Sequence, residues 1–181
     1  MKNEAVERVL LSKEEIDARI KDIAAALDAE YKGKRPLMVA ILKGSVVFFT
    51  DLIRHMSIDI EMDFMAVSSY GNGVKSSGEV KMIKDLDGKI EGKDVIIVED
   101  IIDSGYTLGY LKKLLLARNP SSLKICTLLD KPSRREANIK VDYKGFEIGD
   151  EFVVGYGLDY AGSYRNLPYI GILKREVYEK F

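Results

Sequence analysis

Val95-Ile96-Ile97-Val98-Glu99-Asp100-Ile101-Ile102-Asp103-Ser104-Gly105-Tyr106-Thr107 is the stretch on which the fold turns. An unbroken β-branched run from Val95 to Val98 calls for burial on both faces, as in a parallel sheet. Two adjacent acids, Glu99 and Asp100, end the run, and a loop with a third acid, Asp103, leads into a helical segment from about Tyr106 to Ala117. A helix start presents free backbone N–H groups and a positive dipole end, which suit an anion such as phosphate. Ser104 and Thr107 add hydroxyl donors, and Gly105 permits close approach of the backbone. The acids would repel that anion unless they serve something else. Carboxylates accept hydrogen bonds from the cis-diol of a ribose, and oxygen ligands suit Mg2+ directly or through its waters. An acidic helix cap would account for Asp103 alone, not for Glu99 and Asp100.

Outward from this centre, buried strands alternate with helices. Ser12, with Glu15 three residues on, forms a capping-box signature, and Ile16, Ile20, Ile23 and Leu27 give one apolar face to a helix reaching about Tyr31. Pro36 to Leu42 reads as a strand buried on both faces, and Val46 to His55 as a helix. Ile58 to Ser69 and Val80 to Lys84 are strand-like, separated by the Gly-, Ser- and Asn-rich segment Tyr70 to Gly78, which has almost nothing to bury and reads as a mobile loop. Ser122 to Leu129 is a third buried strand and Phe152 to Tyr156 a fourth. The pattern predicts an α/β fold with an open, mostly parallel sheet flanked by helices, formed by one domain over 1–181. Sites in such sheets lie beyond the carboxyl ends of the strands.

Composition narrows the function classes. The 181 residues are 46% hydrophobic and 31% charged with net charge −1, so no excess of Lys and Arg exists to coat a polyanion. A lone cysteine, Cys126, lies in an apolar run and reads as a buried small hydrophobe. No apolar stretch reaches the ~18 residues of a membrane span. Met1 to Leu11 is charged and lacks a signal-peptide core. These features predict a soluble cytoplasmic protein with neither nucleic acid nor membrane as partner. The single histidine, His55, reads as a helix or surface residue.

The run from Val95 to Thr107 resembles the phosphoribosyl pyrophosphate signature of the type I phosphoribosyltransferases, in which hydrophobic residues precede two acids and an Asp-Ser/Thr-Gly-x-Thr loop. Tyr106 stands at the variable position, where the backbone does the binding. Lys43-Gly44 resembles the family's pyrophosphate loop, whose Lys-Gly peptide can be cis. Alone, Lys43 would read as an exposed turn residue. Ser69-Tyr70 and the residues after them resemble its flexible catalytic loop, a lid that would exclude water from a reactive glycosyl centre; by composition alone they would be a disordered hairpin connection. Lys131, at a strand end, is a candidate donor to the O6 of a 6-oxopurine. Phe152-Val153 through Asp159 resembles the hypoxanthine-guanine branch, where the aromatic stacks on the base, the next backbone meets its edge, and the Asp lies near a second metal. Arg165 matches an arginine that contacts pyrophosphate, whereas Gly162-Ser163 replaces a more charged pair found in many relatives.

The resemblance spans Leu42 to Leu173 and implies the type I fold, with a small hood lobe built from the N- and C-terminal segments. It implies transfer of the phosphoribosyl group from phosphoribosyl pyrophosphate to hypoxanthine or guanine, giving IMP or GMP and pyrophosphate. Asp103 would be the general acid/base at the purine N7. Glu99, Asp100 and Asp159 would order Mg2+, with the first two also holding the ribose diol. A homodimer or homotetramer is expected. Two alternatives stay open: a nucleotide-sensing regulator on the same fold, and an enzyme preferring xanthine.

Overall fold

A computed structural model describes residues 3–69 and 80–179. The main sheet has six strands: β2 (Leu37–Leu42), β3 (Glu61–Ser69), β4 (Val80–Lys84), β5 (Asp94–Ile102), β6 (Ser122–Asp130) and β7 (Tyr143–Glu147), in the order β4-β3-β2-β5-β6-β7. Only the β3–β4 pair is antiparallel. β5 runs down the middle, so its carboxyl end opens at the centre of the sheet's functional edge.

The alternation of side chains along these strands divides the core in two. Met38, Ala40, Ile96, Val98, Cys126 and Leu128 face α1 (Lys13–Glu30) and α2 (Val46–His55), which contribute Ile16, Ile20, Leu27, Phe48, Phe49 and Leu52. Val39, Ile41, Val95, Ile97 and Ile125 face the other way, onto Leu108, Leu111 and Leu115 of α3 (Tyr106–Leu116). Both faces are covered, which is why the strands read as continuous apolar runs. The capping box that opens α1 is present: Ser12 Oγ accepts from Glu15 N, and the Ser12 N–H donates to Glu15 Oε2 at 2.8 Å. Cys126 is buried, as its apolar neighbours imply.

One strand assignment is corrected. Phe152 to Tyr156 does not join the parallel sheet. Only Val153–Val154 (β8) is strand, and it pairs antiparallel with β9 (Ile170–Leu173), which in turn pairs with β1 (Val6–Leu11). This three-stranded sheet has its own small core of Val6, Val154, Tyr169 and Leu173. Its chain ends come together across the whole sequence, with Val6 opposite Leu173. A one-turn helix, α4 (Arg175–Tyr178), follows β9. β1, β7 and β9 carry no long apolar run and were not foreseen.

Candidate active site

Glu99, Asp100 and Asp103 leave the central strand in the order the sequence suggests. The loop after them turns at Gly105, whose φ of +85° favours glycine; a Cβ there would also lie 3.1 Å from Arg135 Cδ. Gly105 is the N-cap of α3 and no side chain caps its first turn, leaving backbone donors at the mouth of a 120 Å³ cavity. Glu99, Ile101, Asp103, Ser104, Gly105 and Thr107 line that cavity. The loop is braced from behind, since the backbone N–H groups of Glu136 and Ala137 donate to Ser104 O at 3.0 and 2.9 Å. Arg135 Nε donates to Asp103 O at 3.1 Å. Tyr106 turns its side chain away, donating from its hydroxyl to Glu136 at 2.6 Å.

A second cavity, about 370 Å³, adjoins the first. Lys131, Phe152, Val153, Leu158 and Asp159 line it, and Ile101 and Asp103 line both cavities. Asp103 therefore stands between an anion cradle and a pocket with an aromatic wall. Lys131 is 7% exposed, and its Nζ donates to Glu151 O at 2.7 Å. Asp159 is held on both oxygens: Arg165 Nη2 reaches Oδ1 at 2.6 Å and the Gly162 N–H reaches Oδ2 at 2.8 Å. Gly162, at φ +79°, sits in the tight turn that returns Ser163 to Tyr160, so the uncharged pair Gly162-Ser163 serves that turn.

The Lys43-Gly44 loop packs against the acid pair at Asp100. A Cβ on Gly44 would fall 1.6 Å from Asp100 Oδ2, so the backbone packs directly on that carboxylate. A Cβ on Gly157, at φ +98°, would fall 2.1 Å from Gly44 O. Arg165 Nη1 donates to Gly157 O at 2.6 Å, and Tyr156 Oη to Asp51 Oδ2 at 2.5 Å, tying the Gly155-Tyr156-Gly157 turn in place. The cis peptide is the Leu42–Lys43 bond, one position earlier than the resemblance implied.

Burial governs the acids. It pushes Glu99 well above the usual carboxylate range, and the neighbouring Asp100 charge adds to the rise. Asp100 is lifted by burial to about 6, against opposing hydrogen bonds from the Ile101 N–H at 2.7 Å and its own N–H. Glu99 Oε2 is buried with no hydrogen-bond partner. A half-buried acid pair with an orphaned oxygen fits a hard cation that keeps several waters and uses one or two carboxylates. Among the described residues no group of three or more acids, His or Cys is arranged to hold a metal. The resemblance places Asp159 near a second ion, and both of its oxygens are engaged here, by Arg165 and by the Gly162 N–H.

The raised Asp100 gives a pH dependence of definite sign. The folded chain holds this proton more tightly than the unfolded chain does. The associated stability is complete below pH ~4 and lost as pH rises through about 6. In chemical unfolding in a chelator between pH 4 and 7.5, Asp100 should account for a loss on the order of 3 kcal/mol, which Asp100→Asn removes while the share due to Glu99 remains. Parallel pH curves for the two proteins would exclude Asp100 as the source.

Tyr70 and the rest of its loop lie outside the described residues, and of Ser69 only the backbone, at the end of β3, is described. Lys43 follows β2 and lines neither cavity. Arg134, Arg135 and Tyr178 were not foreseen. Arg134 Nε lies 3.3 Å from Asp103 Oδ1, and Tyr178 lines the larger cavity. The arginine pair immediately follows Lys131-Pro132-Ser133 at a strand's carboxyl end, which was the available signal.

A mostly parallel sheet whose central strand opens into an acid-bearing loop at a helix N-terminus, with an aromatic-walled pocket alongside, is the arrangement of the phosphoribosyltransferase class. Residues 10–161 match the phosphoribosyl transferase domain family. The chain is 59% identical over 174 residues to the hypoxanthine-guanine phosphoribosyltransferase of Bacillus subtilis, covering 96% of this chain and 97% of that protein. It resembles the crystal structure of a hypoxanthine phosphoribosyltransferase from Staphylococcus aureus with TM-score 0.93 and 53% identity, covering 96% and 95% of the two chains. A Trypanosoma cruzi hypoxanthine phosphoribosyl transferase matches with TM-score 0.94 and 41% identity over 99% of this chain and 97% of that one. The chain belongs to the phosphoribosyl transferase family, in its hypoxanthine-guanine branch.

Proposed function

We propose that the chain salvages purines, transferring the 5-phosphoribosyl group of phosphoribosyl pyrophosphate to hypoxanthine or guanine with release of pyrophosphate. The observation that carries this is the position of Asp103, shared by the anion cradle and the aromatic-walled cavity. A ribose 5-phosphate with its phosphate on the α3 N-terminus would bring its anomeric carbon toward Asp103. A purine in the larger cavity would lie across Phe152, with the Lys131 ammonium available to O6 and the Val153 backbone at its edge. Asp103 would accept the N7 proton as N9 bonds to the anomeric carbon and the carbon–oxygen bond to pyrophosphate breaks. Ser104, Thr107 and the backbone around Gly105 and Tyr106 would bind the phosphate. Glu99 and Asp100 would take the ribose hydroxyls. The Lys43-Gly44 loop and Arg165 would meet the departing anion, Arg165 by exchanging its bond to Asp159.

Glu99 and Asp100 are the residues that would order Mg2+, with Asp159 at a second ion. Bound Mg2+ supplies charge neutralisation for the leaving pyrophosphate. Ser69-Tyr70 and their loop would exclude water while the ring is cationic. No helix among the described residues is long and apolar enough to cross a membrane. A cytoplasmic homodimer or homotetramer completes the proposal.

Turnover with phosphoribosyl pyrophosphate and Mg2+, offering hypoxanthine, guanine, xanthine, adenine and uracil in parallel, is the direct test. IMP and GMP formation abolished by a chelator is expected. Product from xanthine alone, or from no base despite binding of the pyrophosphate, would overturn it.

A further inference from the structure

Phe152 is not a lone platform. Tyr178 stacks on it with ring centroids 4.7 Å apart and planes 20° from parallel. Tyr160 meets its edge at 5.5 Å and 88°. One face and one edge of Phe152 are thus occupied by other rings, and the residue remains 37% exposed. Tyr178 also lines the same cavity as Asp103, Lys131 and Asp159. It is delivered there by α4, whose start is pinned to the small sheet: the Lys174 N–H donates to Ala5 O at 3.0 Å. Val177 and Tyr178 pack against the Val6, Val154, Tyr169 and Leu173 core.

The torsion that sets the plane of a phenylalanine ring is broad and soft. A part-exposed ring with no neighbour samples many planes, and a base stacking on it must select one. A second ring at stacking distance fixes that plane beforehand, so less freedom is lost when the base binds. We propose that Tyr178 is a positioning residue for the purine, holding Phe152 in the plane on which the 6-oxopurine stacks. This rests on the larger cavity being the base site.

The test compares Tyr178→Leu, which keeps apolar bulk without a ring, with Tyr178→Phe, which keeps the stack without the hydroxyl. Steady-state kinetics are run with hypoxanthine and with phosphoribosyl pyrophosphate as the varied substrate, and elution volume reports the oligomeric state. The leucine variant is expected to raise KM for hypoxanthine about three- to tenfold, the scale of one aromatic pair. Its KM for phosphoribosyl pyrophosphate and its elution volume should be unchanged, and the phenylalanine variant should match the parent. Equal rises in both KM values, an altered oligomer, or an unchanged KM for hypoxanthine would each overturn the proposal. A parent protein that converts no 6-oxopurine would instead overturn the base-site assignment. Because the chain has no tryptophan, Tyr178→Trp provides an independent reading: its emission should shift when GMP binds, and GMP binding without any shift would sink the idea.

Discussion

Asp103→Asn should lower turnover by ~10²–10⁴-fold while leaving the fold and phosphoribosyl pyrophosphate binding nearly intact. Asparagine has the shape of aspartate but cannot accept the N7 proton. The loop that carries it is set by other contacts, which the substitution leaves alone: Arg135 on the Asp103 carbonyl and the Glu136 and Ala137 N–H groups on Ser104. The loss should therefore fall on kcat more than on KM. Single-turnover rates with saturating substrates measure it, because they isolate the chemical step from product release. Arg134, 3.3 Å from the carboxylate and half exposed, is paired with Asp150 as well and contributes little to holding Asp103 in place. A turnover equal to the parent's would remove Asp103 from the chemistry and leave it as part of the phosphate loop.

Gly44→Ala should be comparably damaging, by a different route. The added methyl would fall 1.6 Å from Asp100 Oδ2, and the backbone on the far side is itself pressed by Gly157. The carboxylate tip of Asp100 meets the methyl first, with the loop as the alternative. Moving Asp100 disturbs the acid pair, and moving the loop dislodges the Gly155-Tyr156-Gly157 turn on which Arg165 rests. Overpacking of this kind costs ~1–3 kcal/mol of stability, and a 1 Å displacement in a site costs ~10²-fold in rate. The expectation is at least that loss in kcat/KM with a modestly lowered Tm. Crystallography or amide exchange around Asp100 would show whether the displaced group is the acid or the loop. Parent-like kcat/KM would mean that the loop is looser against Asp100 than its packing indicates.

Most of the fold was readable where a segment's structure depends on its own residues. The strands at 37–42, 94–102 and 122–130 declared themselves because both of their faces are covered, which leaves no polar alternation to confuse them. α1 followed from its capping box and helical periodicity, and α2 and α3 from the breaks that end the neighbouring buried runs. The small sheet was not readable for the opposite reason. Val6–Leu11 and Ile170–Leu173 are short, and they pair with each other from opposite ends of the chain. Phe152-Val153 looked like one more core strand because two buried valines give the same signal in either sheet.

The sequence by itself determined where the central loop stands and which polar groups it carries, because Glu99, Asp100, Asp103, Ser104, Gly105 and Thr107 lie within one short strand-to-helix junction whose geometry local rules impose. Only the tertiary structure decided what surrounds it. Gly44 lies against both Asp100 and Gly157, Arg135 grips the loop from behind, and Tyr178 backs Phe152. Each of these joins segments far apart in the chain, and such contacts exist only once the sheet has set the distances between its strand ends.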